Sequence, residues 1–144
     1  MTEETRHLTI FFYGLFMDAA LLRDQGLAPQ NERRACLMNH DIRIGRRAYV
    51  VVDPDTMLWG VLFDLPENQA MQLYGEPSVR DYRPEQVTAE TLEGEKVEAL
   101  CYNLPAGEAP RDNDDYLVKL IDACRSAGLP ESHIDRLERM REQG

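Results

Sequence analysis

Runs of β-branched and aromatic residues, separated by glycine, proline and aspartate, occupy most of the first two thirds of the chain. Residues 7–13 form the first run, which stops at Gly14 and predicts a buried strand. Residues 18–25 contain the apolar stretch Ala19-Ala20-Leu21-Leu22 and predict a short helix that ends at Gly26. The pattern therefore predicts a strand that passes almost directly into a helix.

The middle of the chain predicts consecutive strands. Residues 35–44 and 48–52 predict two strands joined at Gly45. Asp53-Pro54-Asp55 predicts a turn before the next strand, residues 58–65.

A short helix and a hairpin follow. Pro66 can open the helix. Its core-facing positions are expected to be Ala70, Met71, Leu73 and Tyr74. Residues 82–92 and 96–104 flank Glu93-Gly94 and predict a tight hairpin.

Two helices are predicted to close the chain, at residues 114–126 and 131–142, with Gly128 and Pro130 between them. Successive strands joined by tight turns favour an antiparallel or mixed sheet, and regular alternation of strand and helix is missing. We therefore expect an α+β fold, in which a mixed, mainly antiparallel sheet curls into a small barrel with flanking helices. No repeat or linker divides the sequence, so residues 1–144 are predicted to form a single domain.

The charge of the chain narrows the choice of partner. It has 16 Lys and Arg against 26 Asp and Glu, a formal net charge of −10. Binding to nucleic-acid phosphates or to anionic lipid needs a positively charged surface. The basic residues of this sequence form no stripe that could provide one. The longest apolar run, residues 8–17, is much shorter than the ~20 residues that a membrane-spanning helix needs. We expect a cytoplasmic protein that binds a small molecule and neither nucleic acid nor a membrane; the pattern indicates no oligomeric state.

Cysteine and histidine spacing gives no sign of a metal site. The number of cysteines, three, is odd, and each lies among apolar neighbours, which predicts buried side chains. They are Cys36, Cys101 and Cys124. The histidines form no ligand motif, and phosphate-loop and dinucleotide fingerprints are missing from the sequence. We therefore expect no metal and no cofactor.

Two places carry candidate chemistry. At residues 12–18 the strand reaches Gly14 and then a helix, which leaves backbone N–H groups that can bind a carboxylate or an oxyanion. The alternative is a plain connection between strand and helix. The second place is Glu76, in the loop before Tyr82, where aromatic surroundings can make a carboxylate a general base. The alternative there is a solvated surface glutamate.

The order and spacing of these segments resemble the gamma-glutamylcyclotransferase-like superfamily. Tyr13-Gly14-Leu15-Phe16-Met17 corresponds to the family's Tyr-Gly-Ser-Asn loop, and Trp59-Gly60-Val61-Leu62 to its aromatic-Gly-Val strand. Glu76 falls at the family's catalytic glutamate, shortly before the aromatic-basic pair Tyr82-Arg83.

The resemblance continues through the second half of the chain. Residues 99–104 match the strand that carries an active-site tyrosine, here Tyr102, and residues 116–130 match the closing helix with its Gly-Leu-Pro end. In all, the resemblance covers residues 8–137.

The resemblance implies an enzyme that cleaves a γ-glutamyl amide into 5-oxoproline and a free amine. The substrate's own α-amino group attacks its side-chain carbonyl, so no protein nucleophile, metal or cofactor is needed. Glu76 is implied as the general base and acid, and the N–H groups around Gly14, Leu15 and Phe16 as donors to the oxyanion and the α-carboxylate. The implied pocket-lining tyrosines are Tyr13, Tyr82, Tyr102 and Tyr116.

The sequence departs from the family pattern where serine and asparagine are replaced by Leu15 and Phe16. This replacement keeps the backbone N–H donors of the loop and removes the hydrogen bonds that serine and asparagine side chains would make. Pro84 replaces a basic residue and is predicted at a strand edge. Arg80 and Arg83 can bind a substrate carboxylate or pair with surface acids.

Two other classes of function stay open. One is a binding module for a small amide or acidic metabolite without turnover, and the other is an interaction protein that uses residues 131–142.

Overall fold

Five strands close into a mixed barrel with helices packed around it. The computed structural model describes residues 6–77, 79–104 and 113–142. The strands are β1 His7–Phe12, β2 Gln30–Ile44, β3 Ala48–Pro66, β4 Arg83–Thr91 and β5 Lys96–Asn103. The helices are α1 Ala19–Asp24, α2 Glu67–Leu73, α3 Asp114–Ala127 and α4 Glu131–Glu142, with a 3₁₀ turn at Leu15–Met17.

The barrel order is β1-β3-β2-β4-β5. All neighbouring pairs are antiparallel except β1 and β5, which run parallel and meet at Ile10 and Leu100. The predicted α+β class with a mixed, curled sheet is therefore confirmed. The prediction of one domain over residues 1–144 also takes in positions that lie outside the described residues.

Strand β3 holds the barrel together because it pairs with two neighbours. Its first part pairs with β2, and its last residues pair with both β2 and β1, from Val61 opposite Phe12 to Pro66 opposite His7. At Gly60, a Cβ atom would lie 2.3 Å from the Phe12 carbonyl oxygen and 2.6 Å from a ring carbon of Phe11. No side chain fits at that distance, so the glycine allows β3 to pass against the end of β1.

The predicted turn at residues 53–55 is wrong. Strand β3 is continuous there, and the irregularity is a bulge between the pairs Met38–Met57 and His40–Val52. Asn39 and Asp55 both have positive φ, and the Asp55 N–H donates to Asn39 Oδ1 at 3.3 Å. The Asp-Pro-Asp sequence thus lies in the unpaired part of a bulge, where proline costs no ladder hydrogen bond and the chain does not reverse.

Helix α2 corrects a second expectation. Ala70 and Leu73 are buried, as predicted, whereas Met71 is 68% exposed. A helix of this length buries residues three apart on one face, and the intervening Met71 points away from that face. The other predicted helices and the β4–β5 hairpin are confirmed, and β2 begins at Gln30 instead of Ala35.

The three cysteines are buried, as predicted. Burial raises the pKa of the Cys101 and Cys124 thiols to about 12, so both stay protonated at neutral pH. None of the helices in the described part of the chain is long and apolar enough to cross a membrane.

Helix α4 places a histidine in the interior beside an ionic cluster. His133 is 2% exposed, and neither ring nitrogen has a hydrogen-bond partner among the described residues. Asp41 of β2 lies beside it and pairs with Arg43 at 2.7 Å and with Arg136 of α4 at 2.8 Å. Burial, with a smaller contribution from Arg136, lowers the pKa of His133 to about 4.

Acid should therefore destabilise the protein through His133. Its pKa is lower in the folded chain than in the unfolded one, so its contribution to stability is complete above about pH 6.5 and is lost as the pH falls towards 4. The loss should be on the order of 2 to 3 kcal/mol. Denaturant unfolding across this range should show a shallower pH dependence for His133→Leu than for the wild type. Parallel curves would contradict this role.

Candidate active site

The chain leaves the barrel at the end of β1 through a turn that is tied to its own backbone. Tyr13 and Gly14 lead into the 3₁₀ turn, where the Met17 N–H donates to the Gly14 carbonyl at 3.1 Å. Asp18 then caps α1, since its carboxylate accepts from the Ala20 N–H at 2.9 Å. Met17 is buried in the core, which leaves Leu15 and Phe16 half-buried beside a cavity.

This cavity has a volume of about 320 Å³. All of the sequence-predicted substrate-binding residues line it: Tyr13, Gly14, Leu15, Phe16, Tyr82, Tyr102 and Tyr116. They come from the turn after β1, from the residue directly before β4, from β5 and from α3, so the fold brings distant parts of the sequence to one place. The other lining residues are Phe12, Leu21, Arg46, Arg47, Ala48, Tyr74 and Val79.

The tyrosine hydroxyls tie the wall segments together through backbone groups. The Tyr13 hydroxyl donates to the Tyr102 carbonyl at 2.9 Å, and the Tyr82 hydroxyl donates to the Ala48 carbonyl. The Tyr116 hydroxyl lies close to the Gly14 turn, where a Cβ at Gly14 would be 2.9 Å from its oxygen.

The buried phenols of this wall stay neutral. Burial raises the pKa of Tyr13, Tyr74, Tyr102 and Tyr116 above the usual value for tyrosine. At neutral pH these side chains are hydrogen-bond donors and not phenolate bases.

Tyr74 was expected only in the core of the short helix, and the structure places it in the cavity wall as well. Its ring stacks on Tyr102 with 3.8 Å between centroids and 5° between planes. Phe16 packs edge-on against it at 6.1 Å. The sequence signal for Tyr74 was its position as an aromatic residue directly before the Gly75-Glu76 loop.

Two arginines that sequence reasoning missed line the cavity. Arg46 and Arg47 lie in the turn between β2 and β3, where Asn113 Nδ2 donates to the carbonyls of Gly45 and Arg46 at 3.2 and 3.1 Å. The Arg47 guanidinium lies 5.6 Å from the Tyr82 ring centroid and 3.5 Å from the Asp81 carboxylate. The dibasic pair directly after a strand-breaking glycine was the signal that could have found them.

The two arginines that the sequence assigns either to a substrate carboxylate or to surface acids lie elsewhere. Arg80 and Arg83 are exposed and do not line the cavity. The Arg83 guanidinium donates to the carbonyls of Arg80 and Tyr82.

Pro84 lies in β4, where it pairs with Tyr102 of β5. Strand β4 pairs with β2 through Glu90 and Thr91, at the other end of the strand, so Pro84 lies in the part of β4 that pairs on one side.

Glu76 borders a second depression next to the cavity. It is exposed and lies with Gln25, Leu27, Gln72, Leu73 and Phe16 around a space of about 470 Å³. Phe16 lines both spaces. The cavity lining in the described part of the chain contains no carboxylate, so the role of Glu76 as general base stays a prediction.

The family can be stated from the sequence itself. Residues 57–137 match the sequence model of the AIG2-like family. The chain belongs to the AIG2-like family. The match includes Gly60 at the β1–β3 contact, Glu76, and the wall tyrosines Tyr82, Tyr102 and Tyr116. A search of curated protein sequences finds no match.

Solved structures show how widely this AIG2-like fold recurs. A structure named gamma-glutamyl cyclotransferase superposes with a TM-score of 0.80 at 17% identity, over 92% of this chain and 87% of that one. YkqA from Bacillus subtilis gives 0.78 at 23% identity, over 95% of this chain and 55% of that one. The yeast gamma-glutamyl cyclotransferase specific to glutathione gives 0.68 at 12% identity, over 95% and 96%. The gamma-glutamylcyclotransferase-like fold expected from the sequence is confirmed.

The described part of the AIG2-like chain (6–77, 79–104 and 113–142) offers no group of three or more His, Cys, Asp or Glu side chains that could hold a metal ion. The groups around the cavity suited to ligand binding are the tyrosine hydroxyls, the two guanidinium groups and the turn at Gly14.

The contact between Gly14 and Tyr116 can be tested by a paired substitution. A Cβ at Gly14 would lie 2.9 Å from the Tyr116 oxygen, the far end of that side chain, so Gly14→Ala should displace the hydroxyl and cost about 1 kcal/mol. The φ of Gly14 is −108°, which any residue adopts, so strain does not contribute. Adding Tyr116→Phe removes the oxygen and should restore most of the lost melting temperature. A double variant no more stable than Gly14→Ala would contradict this contact.

Proposed function

We propose that this AIG2-like protein is a gamma-glutamylcyclotransferase-type enzyme that converts a γ-glutamyl amide into 5-oxoproline and a free amine. The observation that carries the proposal is the single cavity wall formed by the Gly14 turn, neutral tyrosines and two arginines. The likeness of the fold to structures named gamma-glutamyl cyclotransferase supports it.

The reaction needs no protein nucleophile. The α-amino nitrogen loses a proton and bonds to the γ-carbonyl carbon, and the bond from that carbon to the leaving nitrogen breaks as this nitrogen takes up a proton. At about 320 Å³ the cavity is at the small end of ligand pockets, which span roughly 300 to 1,000 Å³. A small cavity favours a folded substrate in which amine and carbonyl are already close, and this proximity lowers the barrier.

The cavity wall suits the charges of such a substrate. Arg46 and Arg47 give it a positive field for the α-carboxylate. Burial raises the pKa of Tyr116, so its hydroxyl keeps its proton at neutral pH. In this proposal the Tyr116 hydroxyl and the N–H groups of the Gly14 turn are donors to the developing oxyanion.

Glu76 is assigned as the base that takes the ammonium proton and returns it to the leaving amine. Its carboxylate borders the adjoining depression, with Phe16 shared between the two spaces. The assignment therefore requires the carboxylate to pass Phe16 when substrate is bound. The loop that carries it is locally turned, with the Val79 N–H donating to the Glu76 carbonyl at 3.0 Å.

A second function is favoured by one observation. The described cavity lining contains no carboxylate, and apolar Leu15 and Phe16 stand where the resemblance implies serine and asparagine. Such a site can bind a small amide or an acidic metabolite without turning it over. Saturable binding of γ-glutamyl amides with no product would favour this binding module.

The decisive variant for the enzyme is Glu76→Gln. It keeps the shape of the side chain but cannot accept the ammonium proton, so kcat should fall by about 10²- to 10⁴-fold. The melting temperature and the Kd for a γ-glutamyl amide should change little, because Glu76 is exposed. Turnover is measured as 5-oxoproline release.

Glu93→Gln is the matched control. Glu93 is exposed at the turn of the β4–β5 hairpin, at the opposite end of that hairpin from Tyr102. This variant should turn over at the wild-type rate. If Glu76→Gln turned over a γ-glutamyl amide at the wild-type rate, Glu76 would not be the general base.

A further inference from the structure

The side chain of Asn113 joins the turn between β2 and β3 to the start of α3. Its Nδ2 donates to the carbonyls of Gly45 and Arg46 at 3.2 and 3.1 Å. Its Oδ1 accepts from the Tyr116 N–H at 3.3 Å. A side-chain amide offers one NH₂ group and one oxygen, so two carbonyls on one side and an N–H on the other fix which way this amide faces.

Both segments that Asn113 joins contribute to the cavity wall. The turn carries Arg46 and Arg47, and the first turn of α3 carries Tyr116. Asn113 is the N-cap of α3, and its oxygen makes the capping bond. A helix cap needs only an acceptor, so the two bonds from Nδ2 to the neighbouring turn have a purpose other than capping.

These two bonds bear on Arg46 more directly than on Arg47. The turn is closed by the Gly45 N–H, which donates to the Arg47 carbonyl at 3.0 Å. The Arg47 guanidinium is held separately, 3.5 Å from the Asp81 carboxylate. Arg46 is exposed, and its own carbonyl is one of the two that Asn113 holds. The amide therefore fixes the backbone from which the Arg46 side chain extends to line the cavity.

We infer that Asn113 is a positioning residue, which holds Arg46 at the cavity so that its guanidinium binds the α-carboxylate of the substrate. The inference rests on the proposed function, which places that carboxylate at the arginines. A guanidinium has several N–H donors, so it can bind a substrate carboxylate beside any protein partner it has. Asn113 does not line the cavity and acts only through the turn.

Two amides that differ in one group test the inference: γ-glutamyl hexylamide, and 4-amino-N-hexylbutanamide, which lacks the α-carboxylate. Asn113→Asp and Asn113→Ser keep an oxygen that caps α3 and lose the amide's N–H groups. Each should raise the calorimetric Kd of γ-glutamyl hexylamide by about tenfold, and that of the carboxylate-free amide by about twofold or less.

The two variants separate the lost bonds from an added charge. Equal losses for both amides would overturn the inference, because Asn113 would then only support the fold. Unchanged Kd values would overturn it as well. A loss in Asn113→Asp without one in the neutral Asn113→Ser would also overturn it, because the new carboxylate would then account for the weaker binding.

A cycle with Arg46→Gln shows whether Asn113 acts through Arg46. The double variant Asn113→Ser, Arg46→Gln should bind γ-glutamyl hexylamide within about twofold of Arg46→Gln alone. Losses that multiply would show independent roles and overturn the inference. Val118→Gly is the control, because it weakens α3 on its exposed side and leaves the Asn113 bonds in place. It should keep both wild-type Kd values, and a selective tenfold loss in this control would contradict a specific role for Asn113.

Turnover of the same amides separates this inference from the proposed function. If the wild type forms neither 5-oxoproline from the first nor 2-pyrrolidinone from the second, the enzyme proposal fails, and the Kd values still test Asn113. In an active enzyme, the Asn113 variants should raise KM for γ-glutamyl hexylamide while kcat falls by about threefold or less. A fall in kcat at unchanged KM, or no binding of this amide by the wild type, would overturn the inference.

Discussion

The close approach of β3 to the end of β1 is the constraint on which the barrel and the cavity both depend. At Gly60 the two backbones lie so near that a Cβ would be 2.3 Å from the Phe12 carbonyl oxygen. Phe12 is the last residue of β1, so this contact also fixes where the chain leaves the sheet and turns at Tyr13 and Gly14. The position of the cavity is therefore set by a backbone contact of the barrel.

The cavity wall depends in turn on hydrogen bonds between side chains and distant backbone. Tyr13 bonds to the Tyr102 carbonyl, and Tyr82 bonds to the Ala48 carbonyl. Each bond joins segments far apart in sequence, so the tyrosines are part of the fold as well as of the wall. Burial raises the pKa of Tyr13 well above its usual value, so the donor of its bond keeps its proton at neutral pH.

Much of the fold follows from local sequence. Glu93-Gly94 predicts the β4–β5 hairpin because glycine takes up positive φ there, and Gly128 ends α3 for the same reason. The turn expected at residues 53–55 is instead a bulge, because β3 pairs with β2 on both sides of it and the chain does not reverse. Pairing across a sheet is a long-range interaction that local propensity does not contain.

The site was predictable where a motif marks it and was missed where only the tertiary fold reveals it. The turn at Gly14 and the tyrosines at positions 82, 102 and 116 follow from the order of the motifs that the sequence shares with the family. Arg46 and Arg47 reach the cavity because the β2–β3 turn is joined to α3 through Asn113, a contact between residues far apart in sequence. Glu76 shows the reverse case: the motif marks it, whereas its side chain borders the adjoining depression. Sequence order assigns a residue to a loop and does not fix the direction of its side chain.

The central claim is that the substrate's own amine, and not water, attacks the γ-glutamyl carbonyl in this cavity. Mass spectrometry of the products that the wild-type protein forms from γ-glutamyl hexylamide tests it most directly. Cyclisation predicts 5-oxoproline and hexylamine in equal amounts and no glutamate. Release of glutamate with hexylamine would show attack by water, and the formation of no product would show that the protein does not catalyse the cyclisation; either result would contradict the claim.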